Sequence, residues 1–401
     1  MLPKIILKPR RAKPFFAQHP WVFAGAIDRL EGDAADGAEV DLVSSAGNFI
    51  ARGFYNSKSK IRVRLYSWSE PERLGVDFFR DRLQRAIRLR RDILRLGGPG
   101  QACRLVFSES DGLSGLVVDQ YDRWLVVQFT SLALGQRREL LADLLEELVK
   151  PAGIYLRTER GIGQLEGLEA HDELLRGSVP HEPIPIEENG TLFLVHLSEG
   201  QKTGFFLDQR DNRRAVARLA AGRRVLDAFC YSGGFGLEAA KAGASEVIGL
   251  DVSEPALALA RENATRNGLA NLQFRQGDVF TLLDELVTAR ERFGVVILDP
   301  PKFARSGGAV EDALRGYRRL QTQALKLLED DGILCVCCCS GLITAEMLLE
   351  LLAQVAVDAR RFLQVLAVRG AAADHPVAAT CPETQYLKCV IARVCALASG
   401  P

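Results

Sequence analysis

The sequence predicts an α/β protein in which a doubly wound, Rossmann-like parallel sheet follows a β-barrel-like front end and a mixed α/β middle. Three observations carry that expectation. From about residue 190 onward, apolar strand, Gly-rich turn and helix alternate repeatedly, the pattern of a parallel sheet covered on both faces. Between Ile5 and Tyr66 the chain runs in short β-like segments separated by turns such as Glu31-Gly32-Asp33 and Ala46-Gly47-Asn48. A chain of 401 residues, 47% apolar and 25% charged, also exceeds what one core usually serves. The expected divisions are 1–74, 75–190 and 191–401.

In the front end, runs such as Glu39–Val43 and Ile61–Leu65 read as strands. Basic residues cluster at Lys4, Lys8, Arg10, Arg11 and Lys13, and again at Arg52, Lys58, Lys60, Arg62 and Arg64, with Phe15, Phe16, Trp21, Phe23, Phe54 and Tyr55 nearby. Cations for phosphates beside aromatics for bases are the ingredients of RNA binding, although the same aromatics could simply be core. Residues 76–96 read as a helix carrying seven arginines between Arg80 and Arg95, either a basic face or a linker. A hairpin is expected across Leu116–Asp119 and Trp124–Phe129, turning at Tyr121-Asp122-Arg123, and a helix at about 136–149. In the last part the expected strands are Val225–Phe229, Glu246–Leu250, Leu272–Arg275, Val295–Leu298, Ile333–Cys338, Phe362–Val368 and Tyr386–Val394.

Charge and cysteine usage exclude several classes. Lys+Arg and Asp+Glu are both 51, yet residues 1–96 hold 19 Lys and Arg against 11 Asp and Glu, which joins a basic front end to an acidic remainder. The nine cysteines, an odd number with no signal-like start, suit a reducing cytoplasm rather than a disulfide scaffold. No apolar run reaches the roughly 18 residues of a membrane helix, so a soluble, cytoplasmic protein is expected. No metal site is expected, because a CxxC…CxxC zinc pattern is absent.

The strand Val225–Phe229 contains Asp227 and runs into Cys230-Tyr231-Ser232-Gly233-Gly234-Phe235-Gly236, a turn whose glycines let a ligand approach the backbone at a helix start. Asp251 ends the next strand, where a carboxylate can take ribose hydroxyls, and Asp278 ends the one after, where it can reach an adenine edge. Each acid alone could be a solvated turn residue. Three in succession point to a nucleoside cofactor. A dinucleotide is disfavoured because Gly233, Gly234 and Gly236 do not fit Gly-x-Gly-x-x-Gly. S-adenosylmethionine fits better, since it carries no pyrophosphate and its cationic groups suit Asp227.

The fourth strand ends Asp299-Pro300-Pro301-Lys302-Phe303, where two prolines stop the ladder and fix a rigid loop able to hold a planar base. The fifth ends Cys337-Cys338-Cys339-Ser340-Gly341 beside it. Carbon 5 of cytosine is too poor a nucleophile to be methylated directly, and a thiolate adding at carbon 6 activates it. Cys339 is the candidate thiol, being last in the strand and nearest its open end, while Cys335 and Cys337 are expected to pack inward. Simple packing would explain any one of these cysteines taken alone.

The strings Gly200–Arg210, Asp227–Phe235, Asp299–Phe303 and Cys339-Ser340-Gly341, with His19–Phe23 and Asp374-His375-Pro376, resemble the bacterial large-subunit rRNA cytosine-5 methyltransferases of the RlmI-like group over almost the whole chain. That resemblance implies an N-terminal PUA-like RNA-binding domain, a mixed α/β central domain, a C-terminal class I methyltransferase domain and a homodimer. It implies Cys339 as nucleophile and Asp299 on the target base of 23S rRNA, and a cofactor site of Phe206, Asp208, Gln209, Asp227, Phe229, Tyr231, Gly233, Gly234, Asp251, Asp278 and Asp299. RNA contacts are expected from Arg10, Arg11, Lys58, Lys60, Arg62, Lys202 and Arg210, with Lys202, Gln209 and Arg210 capping the pocket by analogy. Related enzymes place a second cysteine where Pro301 stands, and Cys335, Cys337 and Cys338 depart from the family pattern. Two rival readings are a purine-nitrogen rRNA methyltransferase, which needs no thiol, and a catalytically silent RNA-binding assembly factor.

Overall fold

The computed structural model describes residues 2–158, 160–169, 171–198, 204–303 and 310–396, apart from the side chains at 160, 162 and 164. Contacts divide the chain into two units: Met1–Ile186 with Val195–Leu207 and Ala373–Thr384, and Glu187–Leu194 with Asp208–Ala372 and Gln385–Pro401.

The first unit opens with a six-stranded sheet in the spatial order Trp21–Phe23, Ile61–Ser67, Phe49–Tyr55, Glu39–Val43, Lys4–Leu7, Ile27–Glu31. Alternation along these strands turns Ile5, Leu7, Val22, Val40, Leu42, Val63 and Leu65 into one core. A five-stranded sheet follows, in the order Glu173–Gly177, Gly153–Leu156, Trp124–Phe129, Leu116–Tyr121, Ala102–Phe107. The expected hairpin is present, with Asp122 at φ +51° in its turn. Front end and middle share packing: Phe54 and Tyr66 join Phe78, Phe79 and Leu83, and the Phe54 ring lies 6.4 Å from Phe79 and 5.2 Å from Tyr66.

The arginine-rich helix spans Val76–Arg88 and continues as a wider turn over Leu89–Ile93. It is not a free basic face. Arg90 is fully buried, donating to Asp111 Oδ1 at 2.6 Å and to the Asp374 carbonyl at 2.8 Å, while Arg80 pairs with Glu147 and Arg85 with Asp81. The segment Ala373–Thr384 is also fastened at its end, where His19 Nε2 faces Glu383 at 3.3 Å. His19 Nδ1 accepts from Trp21 N at 3.3 Å, which leaves the ring proton on Nε2 for that carboxylate.

The second unit is built on seven strands, numbered here β1 Arg224–Ala228, β2 Glu246–Asp251, β3 Leu272–Gln276, β4 Phe293–Leu298, β5 Leu328–Cys338, β6 Arg361–Arg369 and β7 Lys388–Ala396. Its helices are α1 Arg210–Ala217, α2 Gly234–Lys241, α3 Glu254–Arg266, α4 Val279–Thr288, α5 Val310–Leu327 and α6 Ala345–Asp358. The spatial order is β3-β2-β1-β4-β5-β7-β6. Strands β1 to β5 are parallel, and β4 is buried along its whole length, Val295 and Ile297 facing one core while Val296 and Leu298 face the other.

The sheet is mixed rather than wholly parallel, because β7 inserts between β5 and β6 and runs antiparallel to both. No helix of crossover length separates β6 from β7; their connection holds one short turn of helix, Pro382–Thr384, and so returns the chain in the opposite direction. Three helix starts are capped by side chains: Ser253, Asp278 and Thr344 accept from backbone N–H groups of α3, α4 and α6. No helix among the described residues is long and apolar enough to cross a membrane.

Candidate functional site

The parallel strands deliver Asp227, Asp251, Asp278, Asp299 and Cys339 to one edge of the second unit, at or just beyond their carboxyl ends, beside the break in strand order between β1 and β4. The loop after β1 turns sharply, with Phe229 at φ +65°, Tyr231 at +50° and Gly233 at +83°. Two non-glycine residues in the left-handed region store strain of the kind found at ligand loops. At Gly233 even a methyl group would lie 2.7 Å from Leu237 Cδ1, so that turn requires glycine.

Each acid is held differently. Asp227 is 1% exposed; its Oδ2 accepts from Gly236 N at 2.8 Å, and its Oδ1 has no partner among the described residues. Burial pushes its carboxyl up to about 7. Asp251 Oδ2 accepts from Tyr231 N at 2.8 Å and Oδ1 from Ser253 N at 2.9 Å, which ties β2 to the loop after β1. Asp278 is exposed and caps α4, its Oδ1 accepting from Thr281 N at 2.9 Å; that backbone hydrogen bond holds the carboxyl below the usual range. Phe229 packs edge-on to Phe280 at 6.3 Å, and Phe303 lies 6.3 Å further along.

Around Asp299 a buried polar chain has formed. Gln209 Nε2 donates to Asp299 Oδ2 at 3.1 Å, while Asn212 Nδ2 donates to Gln209 Oε1 at 2.7 Å. Tyr386 donates its phenol to Asp208 Oδ2 at 2.5 Å. Burial first, then the charges of Cys337, Asp208 and Asp227, raises the Asp299 carboxyl well above the carboxylate range. Of the four clustered cysteines, Cys335, Cys337 and Cys338 are fully buried and Cys339 is partly exposed, as its place beyond the end of β5 predicts. Lys388, at the start of β7, donates from Nζ to the carbonyls of Ser340 and, at 3.0 Å, Tyr386. Burial lowers its ammonium, and the charges of Cys338 and Cys339 oppose that shift.

Several of these residues were not visible to motif reading. Lys388 starts an antiparallel strand far along the chain, Tyr386 lies two residues before it, and Asn212 lies on α1; their only sequence signal is polarity inside otherwise apolar or helical text. Arg210, expected on RNA, is buried instead, with Nε 3.7 Å from Glu188, which also takes two hydrogen bonds from Arg213 at 2.7 and 2.9 Å. Lys202 lies outside the described residues. Phe206 is half-buried in the first unit.

The basic front end separates into two kinds of cation. Arg52 is buried against Asp41 at 2.8 Å, and Arg64 against Glu109 and Glu166 at 3.2 and 3.1 Å. Arg10, Arg11, Lys58 and Lys60 are exposed, and Arg62 is half-buried. The aromatics divide as well: Phe15 and Phe54 are core, while Phe16 and Phe23 stay 59% and 47% exposed.

The residues fit a nucleoside cofactor with a cationic tail: a buried carboxylate oxygen left without a partner, a glycine turn with no room for a side chain, and a second carboxylate at the next strand end. The S-adenosylmethionine-dependent methyltransferase family matches residues 169–380, and a PUA-like domain matches residues 5–68. The chain is 41% identical over 391 residues to ribosomal RNA large subunit methyltransferase I of Aeromonas salmonicida, covering 97% of this chain and 98% of that protein. The enzyme of the same name from Aeromonas hydrophila is 40% identical, covering 98% and 100%. A methyltransferase structure complexed with SAH superposes with a TM-score of 0.84 at 22% identity, over 98% of this chain and all of that one. The chain therefore belongs to the ribosomal RNA large subunit methyltransferase I family and is an S-adenosylmethionine-dependent rRNA methyltransferase with a PUA-like front end.

Proposed function

We propose that this enzyme methylates carbon 5 of a cytosine in 23S rRNA through a covalent adduct with Cys339. The observation that carries the reading is the partly exposed thiol just beyond the end of β5, next to the strand that delivers the half-buried Asp299 with its raised carboxyl, with the Lys388 ammonium in electrostatic reach. Lys388 favours the thiolate of Cys339, which attacks carbon 6 of the flipped-out ring. In its protonated form, which the raised carboxyl favours, Asp299 would donate to ring N3, a hydrogen-bond acceptor, and draw electron density away from carbon 6 as the S–C bond forms. S-adenosylmethionine, when bound, supplies an electrophilic methyl group to the enamine carbon 5. Removal of the carbon-5 proton then re-forms the double bond and expels Cys339 as thiolate, which restores the enzyme.

Asp227, Asp251 and Asp278, with Phe229, Tyr231, Gly233, Gly234, Asp208 and Gln209, are the residues we assign to the cofactor. Asp227 Oδ1 would take a cationic group, Asp251 the ribose and Asp278 the adenine edge. Arg10, Arg11, Lys58, Lys60 and Arg62 would contact phosphates, and exposed Phe16 and Phe23 would supply stacking surfaces. We also read the enzyme as a cytoplasmic homodimer. Its edge strand β6 exposes Phe362, Val365, Leu366 and Val368, an apolar row that a second copy would cover.

The test is nucleoside analysis of large-subunit rRNA methylated by the purified enzyme with isotopically labelled cofactor. Label in 5-methylcytidine, abolished by Cys339→Ala, is the expected result. Label in an N-methylated purine with full turnover by Cys339→Ala would overturn the assignment.

A further inference from the structure

The proposed reaction uses one thiol and leaves three others clustered beneath it. Cys335 and Cys337 stand two residues apart on β5 and share a face. The antiparallel register sets Cys389 of β7 directly opposite Cys337. Cys335 Sγ lies 4.0 Å from Cys337 Sγ and 3.6 Å from Cys389 Sγ, and all three sulfurs lie within 4.8 Å of one another. All three are fully buried. Cys338 points the other way, into the core on the opposite face of the sheet, and takes no part.

This triangle has the dimensions of a thiolate metal site. A cation bound about 2.3 Å from each of three sulfurs requires sulfur–sulfur edges of about 3.8–4.0 Å, close to the 4.0 and 3.6 Å from Cys335 to its two neighbours. A donor set of three sulfurs, with no carboxylate or imidazole among them, selects soft cations over calcium, magnesium or manganese. The backbone under all three donors is a paired ladder, so the sulfurs are held in place before any ion arrives. The site also lies near the carboxyl end of β5, one residue pair before Cys338 and Lys388, and Cys337 is near enough to Asp299 to act on its charge.

We propose that Cys335, Cys337 and Cys389 bind one thiophilic cation, Zn(II) or Cu(I), in a three-sulfur site beneath the Asp299 loop. Binding forms three metal–thiolate bonds and releases to solvent whatever protons the three sulfurs carry. No change of oxidation state is involved.

The experiment uses the full-length protein kept reduced with a phosphine and titrated with Cd(II), whose bonds to thiolate absorb in the near ultraviolet. The expected result is a charge-transfer band that saturates at one ion per chain, persists in Cys339→Ala, and needs at least tenfold more Cd(II) in Cys389→Ser and in Cys335→Ala. Two variants on different strands keep the test decisive if one fails to fold. Displacement of the bound Cd(II) by Zn(II) would identify a divalent site, and displacement by Cu(I) alone a monovalent one. Absence of a saturable band, a band unchanged in both variants, or a band lost in Cys339→Ala would overturn the proposal.

Discussion

Asp227 has one oxygen committed to Gly236 N and the other unpartnered, and burial raises its carboxyl from 3.8 to about 7. The folded protein therefore holds this proton more tightly than the unfolded chain. That contribution to stability is fully present below about pH 4 and is lost as pH rises to about 7, amounting to about 4 kcal/mol at 1.36 kcal/mol per unit. Asp227→Asn keeps an acceptor for Gly236 N, so its unfolding midpoint should fall less between pH 4 and 7 than that of the parent protein, as differential scanning fluorimetry would show. A cationic ligand at Oδ1 favours the ionised form, so cofactor affinity should rise with pH up to about 7. In Asp227→Asn, calorimetry should find that affinity ten- to hundred-fold lower and flat with pH, the loss of one charged hydrogen bond. At Lys388 the readout is the pH–rate profile: Lys388→Gln should move its rising limb to higher pH, and Lys388→Arg should restore much of the original profile. The acids at the strand ends were legible in the sequence because strand, acid and glycine turn follow one another within a few residues. Lys388, Tyr386 and the thiol triangle were not, because Lys388 and Cys389 start β7 and Tyr386 lies just before it, and antiparallel register between distant strands cannot be read from spacing.

Among the elements, the β1–α2 turn and the arginine-rich helix are the two most exposed to single substitutions. Gly233→Ala must accept φ +83° and a methyl group 2.7 Å from Leu237 Cδ1, which should cost about 1–3 kcal/mol and lower the thermal midpoint by several degrees. Arg90→Leu would leave Asp111 buried without its cation, an expected loss of about 3–5 kcal/mol in chemical denaturation. The helical period of residues 76–96 and the succession of strands β1 to β5 along the chain were readable from apolar spacing. The role of the arginines was not. Fully buried Arg90 and exposed Arg88 carry the same side chain, and only their tertiary partners, Asp111 and the Asp374 carbonyl for Arg90, tell them apart. The direction of β7 was equally hidden, since an apolar run reads the same parallel or antiparallel.

For the whole molecule, an even overall charge conceals a basic front end whose exposed cations are fewer than composition suggests, because Arg52 and Arg64 are spent on buried ion pairs. Replacing Lys58 and Lys60 together by Ala should weaken rRNA binding across sequences and reduce the salt slope by about 1.4, at roughly 0.7 per phosphate contact on single-stranded RNA. Filter binding across a salt series checks this, with Arg52→Ala expected to lower stability rather than the slope. The central claim is that Cys339 joins covalently to the target cytosine. It is tested most directly by incubating the enzyme with S-adenosylmethionine and rRNA containing 5-fluorocytidine, followed by a denaturing gel and mass mapping. Fluorine at carbon 5 blocks the proton loss that releases the thiolate, so a stable protein–RNA crosslink at Cys339 should accumulate and vanish in Cys339→Ala; methylation of that RNA with no crosslink, or a crosslink through another cysteine, would contradict it.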